Sequence, residues 1–346
     1  METLWFAVVA LMITAYVVLD GFDLGAGALH LWLARTSAER TAVLASIGPV
    51  WDANEVCLLA AGGTLFFAFP GLYASSFSGF YLPLMMVLWL LILRGIAIEF
   101  RNHIESPPWQ AFWDTVFSGA SILLAIFFGA ALGNVVRGVP LDANGSFFLP
   151  LWTNFSPGRD PGILDWYTML VAVAAVLILA HHGALWIALK TEGALEVKAK
   201  RAAARLWWGV LVAAIAVTWA SFGLQPHLAD SFATRPWGYI FPVLAVTGLL
   251  LMRLWKGRAA FGASCLLIAG MLASAAFGMY PYMLPSNADP ALSLDIHNAA
   301  ASRYGLGVGL VWFIPGTTLA AVYFIYTYRS FAGKISAGDA PAKSRS

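Results

Sequence analysis

Long apolar runs alternate along the chain with short segments rich in proline, glycine and charged residues. A helix that crosses a lipid bilayer needs about 20 mostly apolar residues, and nine segments reach that length. They are residues 5–33, 51–70, 77–100, 112–136, 165–190, 206–225, 236–254, 260–280 and 304–328. The pattern predicts an all-α integral membrane protein with nine transmembrane helices in a single polytopic domain, residues 1–332. Residues 333–346 are rich in Ser, Ala, Lys and Gly, and we expect a disordered cytoplasmic tail there.

The composition excludes several other classes of protein. Of the 346 residues, 60% are hydrophobic and only 11% are charged, whereas soluble domains have about 25% charged residues. The net charge of +2 gives no reason to expect a nucleic-acid partner. Cys57 and Cys265, the two cysteines, both lie within apolar runs. This excludes a disulfide scaffold, a zinc ribbon and a cysteine-ligated iron–sulfur cluster.

The distribution of basic residues predicts the orientation of the helices. Of the 20 Lys and Arg residues, 15 fall in one set of alternate connections, four fall in the other set, and Arg94 lies within a span. Because basic residues are retained on the cytoplasmic side of a membrane, we expect the N-terminus outside and the C-terminus inside. The first span follows no basic segment, and no small-residue cleavage site precedes its polar segment at Asp20–Asp23, so we interpret it as a retained helix rather than a cleaved signal peptide.

Acidic residues inside or at the rim of the spans are the main candidates for function. Asp20 and Asp23 lie within the first span, Asp52 and Glu55 open the second, and Glu99 closes the third. Each pair is three residues apart and therefore lies on one helical face. An ionised carboxylate in the hydrocarbon region costs at least about 2.5–3.5 kcal/mol, so these acids need a reason to stay.

Two interpretations of these acids remain open. Ordered by depth from the cytoplasmic side, they resemble the chains of acids that relay protons in membrane proteins. Alternatively, they pair with Arg94, the basic residue inside the third span, and with helix ends, and so hold three neighbouring spans together. Both interpretations require Arg94 to have an acidic partner or an unusually wet site. Asp52 in particular could simply complement the dipole at a helix start.

The histidines offer little support for a bound haem or metal. Of the six histidines, only His181 and His182 lie within a predicted span. Two histidines on different helices at matching depth, the usual arrangement for a haem in a helical bundle, cannot be assembled from this set. A single ligand at His181 is the weaker interpretation. We therefore predict no metal site and no cofactor held by this chain.

Several motifs, spread in order over residues 20–302, carry a resemblance to a known family. They are Asp20-Gly21-Phe22-Asp23-Leu24-Gly25, Trp51-Asp52-Ala53-Asn54-Glu55-Val56, Phe77-Ser78-Gly79-Phe80-Tyr81, Arg94-Gly95-Ile96-Ala97-Ile98-Glu99-Phe100-Arg101, Phe128-Gly129-Ala130-Ala131-Leu132-Gly133-Asn134 and Tyr280-Pro281-Tyr282. Together they resemble subunit II of the cytochrome bd-type quinol oxidases. Glu55 stands where many members carry Gln, and Glu99 where some carry Asp, a pattern that suits the cyanide-insensitive branch.

The resemblance implies a fold, a partner and a role. It implies nine helices, arranged as two four-helix bundles plus one peripheral helix, in a bacterial cytoplasmic (inner) membrane. It implies a partner subunit I that carries haems b and d and the quinol site and reduces dioxygen to water. It also implies that Asp20, Asp23, Asp52 and Glu99 contribute to a proton route from the cytoplasm. Small single-helix subunits and a bound quinone or lipid are further expected partners.

Two other functions remain as alternatives to an oxidase subunit. Acids inside the membrane are equally natural in a proton-coupled transporter, although inverted repeats and broken helices around a central substrate site are not visible in the sequence. The chain could also be purely structural, with its acids serving only to pair with Arg94.

Overall fold

The computed structural model describes residues 1–158 and 160–335, and this part of the chain is almost entirely helical. The helices are α1 (Glu2–Leu19), α2 (Gly21–Leu33), α3 (Ser37–Ile47), α4 (Trp51–Ala68), α5 (Pro70–Gly79), α6 (Tyr81–Phe100), α7 (Pro107–Arg137), α8 (Trp166–Lys190), α9 (Gly193–Leu224), α10 (Pro226–Thr234), α11 (Ile240–Leu254), α12 (Gly257–Met279) and α13 (Arg303–Ser330). Two 3-10 turns, Pro236–Tyr239 and Pro290–Leu292, accompany them. The prediction of an all-helical protein is confirmed apart from one small hairpin, described below.

The apolar pattern predicted nine membrane-spanning helices, and the described residues hold eight or nine candidates. Within the described residues, eight helices are long and apolar enough to cross a membrane, with α1 and α2 counted as one span. The number rises to nine if α3 and α4, which meet at an angle of 46°, form one further span. Helix α4 is the predicted second span, and it begins with the polar residues Asp52, Asn54 and Glu55.

Three predicted spans differ from the observed helices. The helix expected over 5–33 is divided at Asp20, which forms a turn before Gly21. The span expected over 77–100 is interrupted at Phe80, because its first residues belong to α5, a separate helix that starts at Pro70. The span expected over 206–225 begins earlier, at Gly193, because a basic amphipathic segment extends the apolar helix.

The segments that hold many of the basic residues meet at one end of the molecule, which we call the basic end. Lys198 on α9 lies 2.6 Å from Glu39 on α3, measured from Nζ to Oε1. Lys334, just after α13, lies 2.9 Å from Glu196 on α9. Arg40 on α3 reaches the start of α7 through Asp114. The alternate connections that share positive charge in the sequence are therefore neighbours in space.

The two proline-containing loops pack together at the opposite end. One of these loops follows α7, and the other, residues 280–302, contains an antiparallel hairpin, β1 (Tyr282–Leu284) and β2 (Leu294–Asp295). Gly138 ends α7 with a positive φ of 91°. The amide of Val139 then donates to the Pro285 carbonyl at 3.0 Å. The strands were missed because each has only two or three residues, too few for a period-2 pattern.

Helix α2 is packed tightly between α7 and α8, and it carries two of the candidate acids into the interior. Its Phe22 ring stacks on Trp186 of α8 with 4.0 Å between the ring centroids. Gly25 meets Gly183 of α8 backbone to backbone, and Gly27 faces Ser121 of α7. Small residues at these crossings let the helices approach closely, as is common in membranes.

The beginning of the predicted C-terminal tail contacts the helices at the basic end. The amide of Ile335 donates to the Lys190 carbonyl at 2.7 Å, and Lys334 pairs with Glu196 as described above. The rest of the predicted tail, residues 336–346, lies outside the described residues.

Candidate functional site

Arg94 lies at the centre of the candidate site. Its side chain is fully buried on α6. One guanidinium nitrogen, Nη2, donates to Asp20 Oδ1 at 2.7 Å and to Glu55 Oε2 at 2.9 Å. The Asp20 side chain is fully buried, whereas the Glu55 side chain is 24% exposed. Arg94 therefore joins the turn between α1 and α2 to α4.

Asp23 lies in a second, neighbouring hydrogen-bonded chain. Its Oδ2 accepts a hydrogen bond of 2.8 Å from the Asn54 amide on α4. The carbonyl oxygen of the same Asn54 side chain accepts one of 2.9 Å from the Tyr328 hydroxyl on α13. Asn54 is fully buried. The sequence motif around Asp52 includes Asn54, but its role as the link between Asp23 and Tyr328 was not predicted.

Several buried polar atoms around Arg94 have no hydrogen-bond partner among the described residues. They are Tyr16 Oη, Asp20 Oδ2, Asp23 Oδ1, Arg94 Nε and Arg94 Nη1. Most buried polar atoms in proteins are hydrogen-bonded to protein or to ordered water. The two Arg94 nitrogens are donors, the two carboxylate oxygens are acceptors, and the Tyr16 hydroxyl can do either. Water molecules could therefore bridge the two hydrogen-bonded chains.

The two acids at the rim lie apart from these hydrogen-bonded chains. Asp52 and Glu99 are both exposed at the basic ends of α4 and α6. Neither carboxylate has a hydrogen-bond or ion-pair partner within the described residues. Asp52 lies one helical turn before Glu55, and residues at that spacing are neighbours on a helix surface. The structure therefore brings Asp20, Glu55 and Arg94 together, with Asp23 beside them, and leaves Asp52 and Glu99 at the surface.

A second buried carboxylate cluster was missed in the sequence. Asp114 on α7 is 1% exposed, and its Oδ1 lies 2.7 Å from His30 Nε2 and 2.5 Å from Arg101 Nε. Its Oδ2 lies 3.1 Å from Arg40 Nη1. The sequence feature that could have indicated this cluster is Asp114 itself, an acid inside the predicted span 112–136. His30 lies on α2 and faces α7.

We expect Asp114→Asn to destabilise the basic end of the protein. The neutral amide would leave Arg101, which is buried, without its carboxylate, and hydrogen bonds to charged groups contribute about 1.5–3 kcal/mol. The measurement is the melting temperature of the purified complex. Glu105→Gln, which neutralises an exposed acid near the same end, is the matched control. Equal melting temperatures for the two variants would contradict the structural role of Asp114.

The opposite end has its own buried ion pair. Arg137, the last residue of α7, contacts Asp165, which caps α8. Arg137 Nη2 also donates to Asn134 Oδ1 at 2.7 Å, and Nη1 donates to the Gly162 carbonyl at 2.9 Å. In the sequence, Arg137 is one of the four basic residues in the less basic set of connections. It holds the loop between α7 and α8 closed.

One of the two buried histidines of α8 is held by contacts within the fold. Both ring nitrogens of His182 are engaged, Nδ1 with Ser264 Oγ at 2.7 Å and Nε2 with the Val18 carbonyl at 3.0 Å. A cavity of about 430 Å³ at the basic end is lined by neither His181 nor His182. Within residues 1–158 and 160–335, no group of three or more His, Cys, Asp and Glu could hold a metal ion. The single haem ligand considered at His181 stays an untested prediction.

Comparisons with known proteins support the family resemblance. The family model described as cytochrome bd terminal oxidase subunit II matches residues 1–331. The chain is 32% identical to the probable cytochrome oxidase subunit 2 of Haemophilus influenzae, over 96% of this chain and 95% of that protein. It is 29% identical to the cytochrome bd-I ubiquinol oxidase subunit 2 of Escherichia coli K12, over 97% of this chain and 95% of that protein.

A solved structure shows the same fold. A chain of the bd oxidase from Geobacillus thermodenitrificans superimposes with a TM-score of 0.71 at 18% sequence identity, over 95% of this chain and 98% of that chain. The family match covers nearly the whole sequence, including the segments that carry Asp20, Arg94 and Glu99. The chain belongs to the cytochrome bd terminal oxidase subunit II family.

Proposed function

We propose that this chain stabilises the haem-bearing subunit of a quinol oxidase and supplies it with protons. As a family member it is one subunit of a bacterial oxidoreductase complex in the cytoplasmic membrane, and subunit II implies a partner subunit I. Two relatives are named ubiquinol oxidase subunits, which supports a quinol as the electron donor here. In the proposed reaction the complex oxidises quinol and reduces dioxygen to water, with the chemistry in subunit I.

The observation that carries the proton role is the depth and environment of the acids. Asp20 and Asp23 are buried at 0% and 1% exposure, and each keeps one carboxylate oxygen without a partner among the described residues. Glu55, whose side chain is 24% exposed, leads from this interior towards Asp52 on the surface of α4. Two buried carboxylates beside complementary unpartnered donors favour a hydrated interior site that can hold and pass a proton.

Arg94 does not carry the proton in this proposal. Its guanidinium stays protonated in proteins, so it fixes the positions of Asp20 and Glu55 and balances their charge. Protons would enter at the exposed acids, Asp52 or Glu99, and pass by way of Glu55 and intervening water to Asp23 and Asp20. Ion pairing and proton transfer are thus compatible roles for one cluster.

We also propose the arrangement of the chain in the membrane. The excess of Lys and Arg in the connections of the basic end supports a cytoplasmic location for that end, with the N-terminus outside and the C-terminus inside. The family's arrangement of two four-helix bundles and a peripheral helix suits the helix order seen here. The proton route would then begin on the cytoplasmic side, where Asp52 and Glu99 lie.

The proposed cofactors and partners follow from the same assignment. We place haems b and d in subunit I rather than in this chain, which is supported by the engagement of both His182 nitrogens within its own fold. Trp312 and Tyr304 on α13 are 75% and 83% exposed, which supports coverage of that helix by lipid, by subunit I or by a small single-helix subunit. A bound quinone or lipid is a further proposed component.

Neutralising a rim acid is expected to slow the oxidase without removing its haems. In Asp52→Asn or Glu99→Gln, loss of a proton-transferring group should lower quinol-driven oxygen uptake by about tenfold or more. The complex is purified by a C-terminal tag, oxygen uptake is recorded, and haem content is taken from the reduced-minus-oxidised visible spectrum. Glu105→Gln is the matched control.

The outcomes separate the competing functions. Full turnover in both rim variants would contradict the proton route and leave a purely structural subunit. Co-purification of a partner with b- and d-type haem bands supports the oxidase assignment. A colourless chain that purifies without a partner would contradict it and favour a proton-coupled transporter.

A further inference from the structure

An open cavity at the basic end is lined by positive charge. It has a volume of about 430 Å³ and lies between the ends of α8 and α13, the start of α12 and the turn between α3 and α4. The cationic lining residues are Lys190, Arg258, Arg329 and Lys334. No Asp or Glu is among the described residues that line it. Four like charges around one cavity repel each other unless an anion lies between them.

The positive charge of this cavity is only partly balanced by the protein. Lys334 pairs with Glu196, and Lys190 Nζ donates to the Phe331 carbonyl. Arg258 and Arg329 are exposed, and neither has a carboxylate within salt-bridge distance in the described part of the chain. These two guanidinium groups are therefore available to a ligand, and guanidinium suits phosphate in both charge and geometry.

The start of α12 adds to the preference for an anion. The 23-residue helix begins at Gly257, and its N-cap residue, Lys256, makes no side-chain capping hydrogen bond. Free amides at a helix N-terminus carry partial positive charge and attract anions. Arg258, in the first turn of this helix, lines the cavity, so the helix dipole and the side-chain charges act together.

The rest of the cavity wall is apolar. Trp186 and Leu189 of α8 and Phe261 of α12 line it. Phe261 and Trp186 lie with ring centroids 5.2 Å apart. Both residues belong to membrane-spanning helices, so the wall continues from the basic end towards the hydrocarbon region. A soluble anion would use the charges but leave this wall without a partner.

We propose that this cavity binds an anionic phospholipid, with the phosphodiester headgroup at Arg258 and Arg329 and the glycerol and upper acyl chains along Trp186 and Phe261. Basic cavities between transmembrane helices bind anionic headgroups in this manner. The lipid would join α8, α12 and α13 at a place where their own charges repel. None of the acids around Arg94 lines the cavity, although Tyr328, which donates a hydrogen bond to Asn54, forms part of its wall.

Lipid retention by the purified complex tests this proposal. The detergent-extracted complex is stripped of lipid and mixed with dioleoyl phosphatidylglycerol or dioleoyl phosphatidylcholine, and bound lipid is measured by native mass spectrometry. We expect phosphatidylglycerol to bind more tightly than phosphatidylcholine. Arg258→Gln or Arg329→Gln alone should weaken its binding about fivefold, and the double variant about thirtyfold. Arg201→Gln/Arg205→Gln, which removes two exposed charges of the same end, should bind as the wild type does.

Three results would overturn the proposal. The first is equal binding of the two lipids, and the second is an equal loss of binding in the control pair. The third is complete displacement of phosphatidylglycerol by excess inorganic phosphate, which would indicate a soluble anion site instead. Because the readout is bound lipid, it does not depend on oxygen uptake. A failure of the proton route and a failure of this site are therefore distinguishable.

Discussion

Arg94→Gln is expected to prevent assembly of a stable complex. The substitution removes the cation that contacts Asp20, and both side chains are buried. Breaking a buried ion pair by removing one partner typically costs about 3–5 kcal/mol, because the remaining charge has neither solvent nor a partner. The turn at Asp20 and the start of α4 would lose their connection through α6. We expect a strongly reduced yield of complex after detergent extraction and a lower melting temperature for what remains.

A second substitution separates charge balance from hydrogen-bonding geometry. Asp20→Asn combined with Arg94→Gln removes both buried charges, so the double variant should recover much of the assembly lost in Arg94→Gln alone. Arg205→Gln, an exposed arginine on α9, is the control for loss of a positive charge. Wild-type yield and melting temperature in Arg94→Gln would contradict the central role of this ion pair.

The same double variant bears on the proton route. If Asp20 only pairs with Arg94, a restored complex should consume oxygen at the wild-type rate. If Asp20 also passes protons, the restored complex should contain its haems and turn over slowly. Assembly and turnover therefore report on different roles of one carboxylate, which single substitutions cannot separate.

The energetic cost of placing charged residues in a membrane made much of the candidate site predictable from sequence. An arginine inside a span and acids three residues apart stand out because charge in the hydrocarbon region is expensive. The structure places Arg94 between Asp20 and Glu55, two of those acids. Helix positions were predictable for the same reason, since runs of about 20 apolar residues have few alternatives to crossing a membrane.

The missed features depend on contacts between distant segments. Asp114 is surrounded by groups from α2, α3 and the end of α6, and no local pattern indicates that these ends meet. Arg40 and Arg101 were weighed only as markers of membrane orientation. In the sequence, Asn54 is an ordinary polar residue near the start of a helix. Its role depends on a hydrogen bond from Tyr328, which lies far along the chain. The division of the first span at Asp20 likewise follows from tertiary packing around Arg94 rather than from local apolar periodicity.

Gly25→Ala is expected to destabilise the protein by forcing α2 away from α8. A Cβ atom at Gly25 would lie 1.8 Å from the Leu179 carbonyl oxygen and 2.8 Å from the Gly183 amide nitrogen, both backbone atoms of α8. Backbone of a packed helix cannot move aside as a flexible side chain can. Overpacking of this kind costs about 1–3 kcal/mol or more of folding free energy. We expect a cost in the upper part of that range, which would lower the melting temperature of the complex.

A glycine that is not packed against another helix provides the control for Gly25→Ala. Gly62 on α4 has no atom within 4 Å of an added Cβ, so Gly62→Ala should leave the melting temperature unchanged or slightly raised, because alanine favours helix. The substitution at Gly25 should also reduce oxygen uptake in any complex that assembles, since α2 carries Asp23 to its contact with Asn54. Equal stability and turnover in the two variants would show that the close crossing of α2 and α8 does not position the acids.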